Sequence, residues 1–213
     1  MRAIAAAVSA LALAGTAGSA QAAFHSSVTR IPPQVRDRIV GSSWHSGCPV
    51  PLRKLRLVRV TIHRFDGTNS QGRMIIHRRA AHDVAAVMHK LYRADYPIRR
   101  MRLVDAYGAD DDRSMAADNT SAFNCRFVAG TSSWSMHARG LAIDLNPVEN
   151  PYVSGTHVSP AKGQKYADRS QHLRGMVHAG DAVVSAFASI GWGWGGSWAG
   201  STKDYQHFSS NGS

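Results

Sequence analysis

The sequence predicts an α+β fold, a single domain in which a small antiparallel sheet is flanked by helices. Three patterns carry this expectation. Val58, Val60 and Ile62 alternate with Arg59, Thr61 and His63, the period of a strand with one apolar face. A turn-forming stretch from Phe65-Asp66-Gly67 to Gln71-Gly72 then leads to Met74-Ile75-Ile76, the returning strand of a hairpin. Ala81, Val84, Val87, Met88 and Leu91 fall at helical spacing within 78–94, a run that Pro97 ends.

The other elements follow in chain order. Arg2, the apolar run from Ala3 to Ala14 and the small-residue end Ala20-Gln21-Ala22 have the form of a secretory signal, so residues 1–22 are assigned as a signal peptide. A retained membrane anchor is the alternative, but the run is short of the roughly 20 apolar residues that a span needs. Residues 23–50, with Pro32-Pro33 and Gly47-Cys48-Pro49, are expected to be loop-rich with a short helix at 33–40; residues 51–213 form the main domain. A strand is predicted from Ile98 to Tyr107. The polar stretch Gly108 to Gly130 reads as a long loop, a feature that in compact domains is usually functional or disordered. Leu141, Ile143 and Leu145 alternate with Ala142, Asp144 and Asn146, a strand that turns Asp144 away from the apolar face. Residues 147–168 are irregular. A helix is predicted over 171–190 with Met176, Val183, Val184, Phe187 and Ile190 inward, and Gly191 to Gly196 is a turn or strand with Trp192 and Trp194 two apart. No repeat and no interdomain linker is visible, and about 190 residues suffice for one substantial core.

A formal net charge of +11 points to an anionic partner. For an exported chain, the anionic cell wall is the expected one. The basic residues are dispersed, with only short pairs such as Arg78-Arg79 and Arg99-Arg100, which argues against nucleic acid. In an oxidising compartment Cys48 and Cys125 are expected to form one disulfide, with two buried free thiols as the alternative. The bridge would close a loop of roughly 80 residues, for which the chain-entropy model gives about 4 kcal/mol.

The chemistry concentrates in Ser135-Met136-His137-Ala138-Arg139-Gly140-Leu141-Ala142-Ile143-Asp144 and Asp204-Tyr205-Gln206-His207-Phe208. His137, Asp144 and His207 make a set of two imidazoles and one carboxylate. That set leaves a fourth tetrahedral position for water, as catalytic rather than structural zinc sites do. It also leaves about one positive charge on the ion, so bound water approaches a pKa near 7. Asp204, three residues before His207, is the candidate base for that water. Gly140 permits a bend between a loop-borne His137 and a strand-borne Asp144. With 11 histidines in the chain, a lone one means little: His25, His45, His63, His77, His82, His89, His157, His172 and His178 read as surface or satisfied polar residues. His63 and His77 could also form a cross-strand metal pair. Asp110-Asp111-Asp112 lacks the spacing of a calcium loop and reads as a solvated turn. Trp192, Trp194 and Trp198 suit either core packing or stacking on sugar.

The two motifs, S-x-H-x-x-G-x-A-x-D followed by D-x-x-H, resemble the signature of zinc peptidases that cut bacterial wall peptides. These are the D-Ala-D-Ala carboxypeptidases, the vancomycin-resistance dipeptidases and the L-alanyl-D-glutamate endopeptidases, including phage endolysins. The resemblance covers roughly residues 40–208 and includes Leu145-Asn146-Pro147 and Trp194. It implies that His137, Asp144 and His207 bind one zinc ion and that Asp204 is the general base, although many members carry Glu there. Many members also place an arginine after a Tyr before the first motif; here Gly108 follows Tyr107. The oxyanion-stabilising and substrate-binding role is therefore transferred to Arg126, with Arg113 and Arg139 as alternatives. Ser135 and Trp194 are assigned to substrate binding, beside purely structural roles. The expectation is a secreted, wall-associated and monomeric zinc metallopeptidase acting on peptidoglycan stem peptides, either as a carboxypeptidase or as an endopeptidase. A zinc-stabilised, non-catalytic wall-binding module is the alternative.

Overall fold

The computed structural model describes residues 23–213; the assigned signal peptide lies outside the described residues. Three antiparallel sheets of three strands each, with short helices around them, make a mixed α+β domain. The first sheet contains the predicted hairpin, β2 (Leu55–His63) with β3 (Asn69–His77). Its third member, β1 (Ser26–Arg30), pairs with the outer edge of β2. Residues 23–50 are thus less loop-like than expected: SSVTR offers one apolar side chain, so its strand period is invisible until β2 provides the ladder. The short helix there is α1 (Pro33–Ile39).

Alternation along β2 divides the core. Val58, Val60 and Ile62 lie on one face with Met74 and Ile76, under Val84, Val87, Met88 and Leu91 of α2 (Ala81–Arg93). Leu55, Leu57 and Ile75 face the other way and pack with Ile39, Phe123 and the Cys48–Cys125 disulfide, which joins as expected. His63 and His77 stand opposite Asn69 and Leu55 at the two ends of the hairpin, so they form no metal pair.

Four further predicted elements differ from the fold; of these, residues 147–168, expected to be irregular, include short strands at Tyr152–Ser154 and His157–Ser159. Ile98–Tyr107 is not a strand: Arg102 N–H donates to Asn119 Oδ1 (2.8 Å), the Asn119 amide returns a bond to the Arg102 carbonyl (3.1 Å), and Val104–Tyr107 is a 3-10 turn. A side-chain amide here occupies backbone groups that a neighbouring strand would otherwise use. The 108–130 loop contains a helix, α3 (Asp111–Ala116), whose first turn is capped by Asp110 accepting from Arg113 N–H (2.9 Å). The helix expected over 171–190 is confined to α4 (Ala182–Ala188). Gly175 and Gly180 before it adopt φ of +89° and +81°, and Asn150 draws in the Gly175 carbonyl (2.9 Å) and Val177 N–H (2.7 Å). Among the described residues no helix is long and apolar enough to cross a membrane.

Candidate metal centre

The second sheet consists of β4 (Ala142–Asp144), β7 (Gly193–Trp194) and β9 (His207–Ser209), in the order β4-β9-β7. Its register explains how two distant motifs meet. Ile143 pairs with Phe208 and Asp144 with His207. Ile143 and Phe208 point into the core, where Phe208 stacks on Phe187 at 4.0 Å between ring centroids. Because strand side chains alternate, Asp144 and His207 must then share the opposite face.

The third candidate ligand, His137, comes from a 3-10 turn, His137–Arg139, just before β4. Gly140 ends it at φ +63°, and its N–H donates back to the His137 carbonyl (2.9 Å). Its own carbonyl accepts from His77 N–H (2.8 Å), which fixes the turn against the first sheet. A Cβ at Gly140 would lie 2.8 Å from that same His77 nitrogen.

The donor atoms converge. His137 Nε2 is 3.1 Å from Asp144 Oδ2 and 3.3 Å from His207 Nδ1, and His207 Nδ1 is 3.0 Å from Asp144 Oδ1. Bonds of about 2.0–2.2 Å to a tetrahedral ion would put ligand atoms roughly 3.3–3.5 Å apart, close to what is found. The far nitrogens fix the tautomers. His137 Nδ1 lies 2.5 Å from the Ala122 carbonyl and His207 Nε2 3.2 Å from the Ser213 carbonyl. Carbonyls only accept, so these nitrogens carry the protons and leave bare lone pairs on His137 Nε2 and His207 Nδ1. Two lone pairs and a carboxylate at this spacing repel unless a cation or proton lies among them, so the set fits a metal ion. The same crowding favours a shared positive charge, which a proton can also supply: burial would raise the Asp144 carboxyl, yet His137 and His207 outweigh it and hold it well below the usual range. For His207, burial opposes protonation, but the Asp144 hydrogen bond and charge dominate and raise its pKa.

These donors line a cavity of about 870 Å³. Asp204 lines it too, at the end of β8 (Lys203–Asp204), part of the third sheet with β5 (Tyr152–Ser154) and β6 (His157–Ser159). Its Oδ1 is buried without a hydrogen-bond partner. Burial first, and the nearby Asp144 charge second, push its carboxyl up to about 6. The chain can pass the Asp204 backbone this closely only because residue 195 is glycine: a Cβ there would strike the Asp204 carbonyl oxygen.

The structure treats the remaining candidates unequally. Arg126 lines the cavity, and its Nη2 pairs with Asp111 Oδ2 at 2.7 Å. Arg139 lines it as well, whereas Arg113 pairs with Asp110 and is absent from the lining. Ser135 lies on the wall, with its Oγ accepting from His137 N–H (3.2 Å). Trp194 corrects its substrate-binding assignment: it is buried in the core, donates to the Tyr205 carbonyl (2.8 Å) and is not in the lining, because its strand parity matches that of Phe208. The tryptophans on the wall are Trp134 and Trp198. Asp111 is a second correction, a cavity residue holding Arg126 rather than part of a solvated turn; burial raises its carboxyl and Arg126 opposes the rise. His157, read from the sequence as a surface residue, also lines the cavity. The clue to Asp111 was local: an aspartate run ahead of Arg113-Ser114-Met115-Ala116 has the form of a helix cap and first turn.

Residues 129–210 match the family described as D-alanyl-D-alanine carboxypeptidase. The match supports the zinc-peptidase family that the two motifs suggest. The family segment contains His137, Asp144, Asp204 and His207 together, and stops short of Arg126 and Asp111. No curated protein and no solved structure matches the chain.

Proposed function

We propose that the protein is an exported zinc peptidase that removes the terminal residue from peptidoglycan stem peptides by cutting a D-Ala–D-Ala bond. The observation that carries this reading is the convergence of three donor atoms at a cavity that also holds Asp204, whose buried Oδ1 has no hydrogen-bond partner. The description of the matching family supports the choice of bond. His137, Asp144 and His207 would hold one ion, which when bound supplies Lewis acidity to the carbonyl and to a water. Asp204 takes the proton from the attacking water and returns it to the leaving amine. Arg126, steadied by Asp111, faces the carbonyl oxygen as negative charge develops there. Arg139, exposed on the same wall, takes the free carboxylate of the substrate. Ser135 holds the His137 turn and offers its hydroxyl to the peptide. The signal peptide delivers the chain to the wall, whose anionic polymers suit the +11 charge.

Mass spectrometry of muropeptides after digestion tests the reading. Loss of one alanine is expected, abolished by chelation and restored by zinc in the native chain but not in His207→Ala. Cleavage between L-Ala and D-Glu would instead mark an endopeptidase. Undiminished turnover by His207→Ala would refute the ligand set. Adherence to sacculi without new amino groups would favour the non-catalytic module.

A further inference from the structure

A second cavity, of about 560 Å³, is lined by Arg30, Arg36, Arg53, Arg56 and Arg78 with Ile31, Leu52 and Leu55. Five arginines line this space, and no carboxylate residue does. Carboxylate pairing is the minority case among the described arginines, held by Arg64, Arg99, Arg113 and Arg126; what sets these five apart is that they meet at one cavity. Among the described residues, none of the five has a carboxylate partner.

Local structure accounts for only part of this. Arg36 lies in the last turn of α1, where a cation suits the helix dipole. Arg56 donates to the Arg53 and Leu55 carbonyls (3.1 and 2.8 Å). Arg53 lies in the last turn of the 3-10 helix Leu52–Lys54, and nothing of the kind serves Arg30 or Arg78. Arg30 and Arg56 stand directly opposite across β1 and β2, and like charges so placed destabilise a sheet. The positive field reaches His77: burial first, then Arg79, Lys54, Arg78 and Arg56, lower its pKa. A fold that keeps this repulsion uncompensated from within is suited to an anion from outside.

We infer that this cavity binds a polyanion built of repeated phosphate groups. All five lining cations are arginines, and their planar forks match phosphate oxygens two at a time. Five cations in one cavity suit a chain of charges better than a single ion. The apolar lining is aliphatic, so nucleic-acid bases find no aromatic platform to stack on. The site adjoins the metal-centre turn, since His77, next to Arg78, donates to the Gly140 carbonyl.

The test is titration of the mature chain with inorganic polyphosphate over a range of salt. Removing three phosphate contacts with Arg36→Gln, Arg53→Gln and Arg78→Gln should lessen the slope of log K against log salt by about 2, at roughly 0.7 per contact for a single strand. The control Arg93→Gln, Arg100→Gln and Lys165→Gln removes the same charge elsewhere and should change the slope less. Equal weakening by both triple variants overturns the inference, because net charge alone then explains binding. So does a lack of binding at low salt, equal binding of polyglutamate, or tighter binding of a single-stranded oligonucleotide. Retention on sacculi that is lost when their phosphodiester polymers are stripped assigns a wall-borne ligand; undiminished polyphosphate binding without that retention assigns a free phosphate chain. The inference is separable from the proposed reaction: the Arg36, Arg53 and Arg78 triple variant should hydrolyse a short soluble stem peptide as the native chain does.

Discussion

Replacing Gly140 by alanine tests whether the fold places the first candidate metal ligand, His137, through one backbone conformation. The residue sits at φ +63°, where an L side chain costs about 1–2 kcal/mol. The added methyl would also approach His77 N to 2.8 Å and Leu55 Cδ2 to 3.1 Å. The leucine end can move, but the backbone nitrogen belongs to β3 and is held by the Gly140 carbonyl itself. Overpacking of this kind adds about 1–3 kcal/mol, and the stiffer unfolded chain returns about 0.4–1 kcal/mol. The expected net loss is about 2–4 kcal/mol, or about 5–15 °C in Tm for a chain of this size. Gly67→Ala is the control: φ is +80°, but nothing lies within 4 Å of its Cβ position, so only the conformational cost applies. Denaturant melts give both stabilities, and competition with a zinc chelator gives the ion affinity. Gly140→Ala should lose stability and zinc affinity together, since the displaced turn carries His137; Gly67→Ala should lose about 1 kcal/mol and bind zinc normally. Equal losses in the two variants, or full zinc affinity in Gly140→Ala, would refute the argument.

Three further outcomes follow from the same geometry. Asp204→Asn should keep zinc binding and lower kcat by about 10²–10⁴; in the native chain kcat/KM should rise with pH through a value at or below about 6, because the Asp204 carboxyl is raised to about 6 and a bound cation would pull it down. A rising limb above neutrality would contradict the role of Asp204. Asp111→Asn removes the partner of Arg126 at 2.7 Å, so kcat/KM should fall about tenfold, the scale of a lost supporting contact, with zinc content unchanged; loss of zinc instead would show that Asp111 supports the metal centre. Glu149 is almost fully buried, and burial, then Asp118, raise its carboxyl to about 8 against the opposing pull of Arg99. The native chain therefore holds a proton that the unfolded chain releases above its ordinary value near 4.5, so the stability this group supplies is lost as pH rises towards 8. Glu149→Gln should show a flatter Tm between those limits, and an unchanged pH profile would dismiss the linkage.

What could be seen in the sequence was set by the range of the interactions. The α2 helix and the β2–β3 hairpin were legible because their apolar periods face one core and need no distant partner to be recognised. Helix 171–190 was overextended because Met176 and Val183 keep an apolar spacing through a segment whose backbone is claimed by Asn150. Asn119 likewise removed the strand expected at Ile98–Tyr107, by bonding Arg102 from 17 residues away. Both amides act at long range, and no local pattern announces them. The same distinction separates the parts of the site. Asp111 and Arg126 meet only through tertiary structure, so neither residue type nor spacing predicted their pairing.

The candidate metal ligands were legible for a different reason. Ile143-Asp144 and His207-Phe208 each place one apolar and one ligating residue side by side, and antiparallel pairing aligns them as Ile143 with Phe208 and Asp144 with His207. A slip of one residue would turn Phe208 out of the core and the imidazole into it. Burying Phe208 against Phe187 therefore does more than stabilise the sheet: it excludes the one-residue slips that would turn His207 away from the face of Asp144. The apolar neighbour of each ligand specifies the site as firmly as the ligand does. Phe208→Leu, which preserves the apolar parity, should accordingly retain zinc binding better than a polar replacement at the same position, and the opposite order would mean that something other than strand register sets the ligand geometry.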